Sequence, residues 1–261
     1  MFQTLELEIK GYVATLSLNR PDVRNAFNEE MIAELTQAFE RLGKNETIRV
    51  IVLAAHGKAF CAGADLNWMK KMADYSQAEN LHDAAQLANM LLSIYSCPKP
   101  VIAKIQGDCY AGGMGLAAAC DIAVAQEGVH FCLSEVKLGL IPATISPYVI
   151  KAMGESAARR YFLTAERFSA ARAEQIGFVA EVTSAEQLDA KVDELVTALC
   201  ANSPHAVTKA KSLVADVAGS EISDDLIAST VADIADIRAS EQGREGVRSF
   251  LEKRKPSWLE N

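Results

Sequence analysis

The sequence has little that would point to a metal centre, a membrane or a nucleic acid. Its six cysteines, Cys61, Cys97, Cys109, Cys120, Cys132 and Cys200, form no CxxC pair. Several stand among apolar residues, which predicts reduced, structural thiols in a reducing compartment. The four histidines, His56, His82, His130 and His205, share no ligand spacing, so no metal site is expected. The net charge is −8, whereas a nucleic-acid binder would present a basic face. An anionic small ligand stays open, because such a ligand responds to the local field of its cleft. No run approaches the roughly 18 uninterrupted apolar residues of a membrane span. The opening MFQTLELEIKGYVATLSL carries early glutamates and lacks the charged start, apolar stretch and cleavage site of a signal peptide. The expectation is a cytoplasmic protein with neither a membrane nor a nucleic acid as partner.

What is present is a chain of 261 residues, 50% of them hydrophobic, enough to bury roughly 75% of the unfolded surface. Residues 2–9 and Val13–Leu18 alternate apolar with polar side chains around Lys10-Gly11, as a hairpin would. Asn28 is a plausible N-cap for a helix over 29–42, with Met31, Ile32, Leu35, Phe39 and Leu42 at helical spacing. Val50–Ala55 is continuously apolar, as expected of a strand covered on both faces. Helical sequence over 74–96 leads through Pro98-Lys99-Pro100 to a strand at Val101–Ile105, a short apolar helix at Gly112–Ala119 and a strand at 122–125. Helices over 146–153 and from 155 precede a strand at 179–182, and from Ser184 the chain reads as helix, with Pro204 at one N-terminus and the last helix ending near Lys255-Pro256. Strand–strand–helix units that return at intervals of tens of residues suggest a wound superhelix of small sheets. The reading is one α/β core with a helical C-terminal extension.

Three segments hold glycines or an acid that are costly unless used. The first, Phe60-Cys61-Ala62-Gly63-Ala64-Asp65-Leu66, follows an apolar strand, and its small residues let backbone N–H groups approach a ligand closely. The second runs from Gln106 through Gly112-Gly113-Met114-Gly115 into an apolar helix, whose N-terminus favours a negative oxygen. Its GGxG lacks the spacing of a dinucleotide fingerprint. The third, Phe131 to Pro142, holds Glu135 in an apolar stretch, either a working carboxylate or a turn residue paired with Lys137.

Together these segments resemble the enoyl-CoA hydratase/isomerase (crotonase) superfamily, in order and over nearly the whole chain. Leu18-Asn19-Arg20-Pro21 and Asn25-Ala26-Phe27-Asn28 look like its N-terminal signature. The Gly-rich segment that ends in Cys120-Asp121-Ile122-Ala123 looks like its second oxyanion segment, and Phe250-Leu251-Glu252-Lys253-Arg254-Lys255 like its C-terminal helix. The resemblance implies a crotonase-like spiral of ββα turns over residues 1–183 with the acyl-CoA site. Residues 184–261 would then be a helical region for oligomerisation and CoA contact, in trimers or dimers of trimers. It implies oxyanion donors at the Ala64 and Gly112 N–H groups and Glu135 as acid/base. Arg24, Ala62, Gly63, Asp65, Leu66, Gly113, Gly115 and Lys253 are the implied substrate or CoA contacts. The substrate would be an acyl-CoA thioester, with no cofactor beyond the coenzyme A that the substrate carries.

Hydratases of the superfamily typically use two glutamates, and the first of these falls on Gly115. A lone carboxylate suits double-bond isomerisation, which makes an enoyl-CoA isomerase the alternative on mechanism. The finer resemblance, over Cys61–Met69 and Cys132–Tyr148, is to bacterial methylglutaconyl-CoA hydratases of leucine breakdown, where a small residue at that position is not unusual. The leading expectation is therefore a hydro-lyase acting on a branched or carboxylated 2-enoyl-CoA. A non-catalytic acyl-CoA-binding or RNA-associating member is a further alternative. Ser146 is expected to cap the helix that it begins, with Ser146 and Tyr148 as alternative contacts for water or a carboxylate.

Overall fold

The computed structural model describes residues 2–259. The opening alternation forms a hairpin in which β1 (Leu5–Lys10) and β2 (Val13–Leu18) pair antiparallel across Gly11, whose φ is 56°. β1 starts at Leu5 rather than Phe2, because the Gln3 and Thr4 N–H groups donate to the Glu34 carboxylate instead of to a strand. Glu34 lies on α1 (Glu29–Lys44), which begins as expected: the Asn28 side chain accepts from the Met31 N–H at 3.0 Å. Acids in its first turn and Arg41 and Lys44 in its last complement the helix dipole.

The chain then winds in ββα turns. β3 (Val50–Ala55) and β4 (Ala59–Cys61) lead to α2 (Leu66–Met72) and α3 (Gln77–Tyr95). β5 (Val101–Ile105) and β6 (Asp108–Tyr110) lead to α4 (Gly112–Ala119). β7 (Ile122–Gln126) and β8 (His130–Cys132) lead to α5 (Ser146–Thr164), after which come β9 (Phe168–Ser169), α6 (Ala170–Gln175) and β10 (Glu181–Thr183). One strand of each turn joins a six-stranded sheet ordered β1-β2-β3-β5-β7-β10, and the other joins a four-stranded sheet ordered β4-β6-β8-β9. This is the mixed α/β spiral that the repeating pattern suggested.

Several boundaries differ from the sequence reading, each for a local reason. The helical stretch at 74–96 starts only at Gln77, where Ser76 and Glu79 close a capping box. By contrast, the two helices expected on either side of Gly154 are there as the two halves of α5, separated where Gly154 leaves the helical conformation at φ 79°, ψ 158°. Phe178 and Val179 are buried in a turn whose N–H groups donate to the Ala173 carbonyl, so β10 begins later, at Glu181.

The strand Val50–Ala55 is covered on both faces. Ile51 and Leu53 join the main core with Leu16, Leu35, Phe39, Leu91, Ile105 and Leu116. Val50 and Val52 face the other way, with Ile102 and Val124, against Leu188 and Val192 of α7 (Leu188–Ala201). Each such side chain contributes about 1.5–3 kcal/mol by leaving water. Beyond α7 follow α8 (Pro204–Val217), α9 (Asp224–Ala239) and α10 (Glu241–Leu251). α10 stops at Leu251, short of Lys255-Pro256, because Lys253 turns left-handed (φ 55°) and Arg254 pairs with Glu245 and Glu252. No helix among the described residues is long and apolar enough to cross a membrane.

Candidate active site

The four-stranded sheet assembles the three segments singled out in the sequence. Its strands β4, β6 and β8 are parallel neighbours, with Cys61 opposite Cys109, Cys109 opposite Phe131 and Tyr110 opposite Cys132. Parallel strands release their chains at one edge, so the turns at Ala62–Asp65, Ala111–Gly112 and Leu133–Glu135 emerge side by side. A Cβ built on Gly63 would lie 2.9 Å from the Ala111 Cβ and 3.8 Å from the Gly112 nitrogen. The first two turns are therefore in contact. Ala64 and Gly112 are each partly exposed, while Gly63, Asp65 and Gly113 beside them are buried.

Phe27, which the sequence marked only as part of a signature, organises both turns. It forms a parallel bridge with Ala64 in which its N–H donates to the Gly63 carbonyl and its carbonyl accepts from the Asp65 N–H, both at 2.8 Å. In a parallel bridge the bonds run to the flanking residues, so the N–H of Ala64 itself points to the opposite side. The Phe27 ring, 1% exposed, lies against the Gly112 Cα, and a Cβ at 112 would overlap ring atom Cε2 and stand 3.1 Å from Cζ. Phe27 thus fixes the spacing of the two turns.

Gly112 opens α4, where the first N–H groups of a helix have no partner within it. The preceding residue, Ala111, holds φ 47° and ψ −121°, a conformation that favours glycine. It is fixed by its N–H donating to the Cys132 carbonyl and its carbonyl accepting from Met114. Strain of this kind concentrates at working sites, and here it aims the start of α4. Gly113 serves close packing: a Cβ there would lie 2.6 Å from the Cys61 carbonyl oxygen.

Glu135 begins a short 3₁₀ turn after β8. Its Oε2 is buried and meets no hydrogen-bond partner among the described residues, Lys137 included. Burial raises its pKa above the ordinary 4.5. An orphaned buried carboxylate oxygen asks for an explanation, and a proton carrier waiting for substrate is one. Stability follows the same shift. A carboxyl with a raised folded-state pKa stabilises fully below its unfolded value and loses that contribution as pH rises through the folded one. Glu135→Gln is therefore expected to raise the melting temperature at pH 7–8, with the gain vanishing below about pH 4. Thermal melts of both proteins across that range check it.

Gly115 sits one helical turn beyond Gly112. A Cβ there would overlap Cγ2 of Ile145, stand 2.8 Å from its Cβ and 3.6 Å from Leu91 Cδ2. The sequence showed a missing acid at this position. Contacts from α3 and the start of α5 show hydrocarbon in its place.

The other expected contacts divide. Arg24, in a left-handed turn, accepts the Ala62 N–H at its carbonyl, which brings its exposed side chain beside the first turn. Leu66 is 74% exposed at the start of α2. The Asp65 carboxylate is taken up internally, capping α2 through the Asn67 and Trp68 N–H groups and pairing with Arg20 at 3.0 Å. Burial alone would raise its pKa, but these partners outweigh burial and hold it below the usual range. Lys253 lies in the turn after α10, the helix that packs on α8 and α9. Ser146 does not cap α5: its hydroxyl donates to the Ala143 carbonyl at 2.7 Å, and Ile145 holds the cap position without a side-chain bond. The Cys61 thiol is pushed up to about 12 by burial, which keeps it protonated.

Two small-residue turns in contact, at Ala64 and at the start of α4, beside a turn that holds a desolvated carboxylate, suit enolate chemistry on a thioester. The sequence profile of the enoyl-CoA hydratase/isomerase family matches residues 8–261. The chain belongs to that family. A crystal structure of an enoyl-CoA hydratase from Shewanella pealeana is 44% identical, superposes with a TM-score of 0.96 and covers 98% of this chain and 96% of that one. The 2,3-dehydroadipyl-CoA hydratase of Escherichia coli is 31% identical over 94% of both chains. A trans-2-decenoyl-acyl-carrier-protein isomerase of Streptococcus mutans is 29% identical over 98% of both. The enoyl-CoA hydratase/isomerase family thus brings relatives with both activities.

Proposed function

We propose that this family member is a hydro-lyase that adds water across, or removes it from, the 2,3 double bond of a branched or carboxylated 2-enoyl-CoA, 3-methylglutaconyl-CoA above all. The observation that carries the proposal is the unpartnered, buried Oε2 of Glu135 on the turn beside Ala64 and Gly112. The Ala64 and Gly112 N–H groups receive the thioester oxygen and hold the negative charge that develops on it as water reaches Cβ. Each such donor contributes about 3–4 kcal/mol to transition-state stabilisation. Glu135, protonated more readily than an ordinary glutamate, delivers the proton to Cα. The carboxylated substrate of the E. coli relative supports an acyl group of this class.

Arg24, with the backbone of Ala62, Gly63 and Leu66, would meet the CoA moiety. Lys253 would reach it from a neighbouring subunit of a trimer or dimer of trimers. Exposed apolar residues support that assembly: Leu138, Leu140 and Ile141 beside Glu135, Ile227, Val231 and Ile234 on α9, and Phe250 and Leu251 on α10. Residues 184–261 would supply most of that contact surface.

A second reading, Δ3,Δ2-enoyl-CoA isomerase, is favoured by the closed position at Gly115, since one carboxylate suffices to move a proton between two carbons. A third, a non-catalytic acyl-CoA-binding or RNA-associating protein, gives Glu135 no work. The purified protein is expected to hydrate 3-methylglutaconyl-CoA when assayed beside crotonyl-CoA and a 3-enoyl-CoA. Isomerisation with no hydration of either 2-enoyl thioester would overturn the proposal in favour of the second reading.

A further inference from the structure

Ile145 is buried at the start of α5 with helical backbone angles, φ −86° and ψ −17°. Its branched Cβ lies against the Gly115 Cα, only 2.8 Å from where a Cβ at 115 would stand. Rotation about χ1 moves Cγ2 between staggered positions but leaves that Cβ in place. No side chain enters at 115 while Ile145 stays, and Leu91 closes the space behind. Residues 112 and 115 share one helix face, so the surface next to the Gly112 donor is hydrocarbon.

We infer that Ile145, interlocked with Gly115, is a specificity-determining residue that reserves the site for enoyl thioesters carrying a carboxylate of their own. This rests on the hydro-lyase reading. Hydration needs a base for the water and an acid for Cα. Glu135 is the acid, and with the wall closed the substrate carboxylate is the base. The water oxygen bonds to Cβ as one of its protons passes to the substrate carboxylate, and the double-bond pair moves to the thioester oxygen as the enolate. The pair returns to form the Cα–H bond with the Glu135 proton. The proton on the substrate carboxyl then returns to Glu135 through solvent, and the net change is one water added. A straight-chain 2-enoyl thioester lacks the second group and is hydrated slowly.

The test compares the wild type with G115E, I145G and the G115E/I145G double variant on 3-methylglutaconyl-CoA and crotonyl-CoA. The wild type should prefer the carboxylated thioester by about 100-fold or more in kcat/KM. G115E alone should gain nothing on crotonyl-CoA, while the double variant should gain about tenfold or more over the wild type. Equal wild-type rates on the two thioesters, or a G115E gain that matches the double variant, would overturn the inference. Should the double variant fail to fold, G115A answers by melting temperature: a loss of about 5 °C in the wild type against half of that or less in the I145G background. Equal losses in both backgrounds would remove the interlock and the inference with it. A wild type that isomerises a 3-enoyl-CoA and hydrates neither thioester refutes the hydro-lyase reading itself. That result comes from the wild type alone, whereas failure of the interlock comes from the variants.

Discussion

Glu135→Gln is expected to lower turnover of the preferred 2-enoyl thioester by about 10²–10⁴-fold while leaving acyl-CoA affinity nearly unchanged. The amide keeps the shape of the side chain, but its N–H protons are not acidic enough to be delivered to Cα. In the proposed function the CoA moiety is held elsewhere, by Arg24 and the backbone of the first turn, so calorimetric titration with a non-reactive acyl-CoA should give wild-type affinity. The same variant is predicted to be the more stable protein at neutral pH. Loss of turnover together with a gain in melting temperature identifies a site whose desolvated carboxylate is held at a cost to stability. Unchanged turnover in Glu135→Gln would refute the assigned role.

The second large effect belongs to Gly112→Ala. The added methyl overlaps the Phe27 ring. That ring cannot retreat, because Phe27 is 1% exposed and bonded through both backbone groups to Gly63 and Asp65. Relief must come from the start of α4 moving away from Ala64, which would part the two proposed donors. Loss of one such donor lowers kcat by about 10²–10³-fold, and overpacking costs about 1–3 kcal/mol of stability. Steady-state kinetics with a melting curve separate the two. A folded Gly112→Ala protein with wild-type kcat would show that the spacing of these turns does not matter to the chemistry.

Elements with long, regular periodicity were legible from the residues alone. The α1 face of Met31, Leu35, Phe39 and Leu42, and the strands Val50–Ala55 and Val101–Ile105, lie where the pattern put them. The four-stranded sheet was not legible, because its strands have two or three residues, too few to show a period. Yet these strands bring together Ala62–Asp65, Ala111–Gly112 and Glu135. In the sequence those segments could be associated only by resemblance. Within the site, glycines and a lone acid were visible as costly residues. Phe27, Ala111 and Ile145 were not, because their importance lies in contacts with Gly112, Gly63 and Gly115 that no local pattern announces. Asp65 stayed open in the sequence for the opposite reason: a short acid beside a glycine turn can orient its own loop or touch a ligand, and its partners in the structure are the α2 cap and Arg20.

The central claim is hydration at Cβ with protonation of Cα by Glu135. Its most direct test is to incubate the wild-type protein with 3-methylglutaconyl-CoA in deuterium oxide and examine the product by mass spectrometry and NMR. The account predicts a product that has gained one water, with a hydroxyl on Cβ and a single deuterium on Cα. A thioester with a migrated double bond and no hydroxyl, or substrate recovered unchanged, would contradict it.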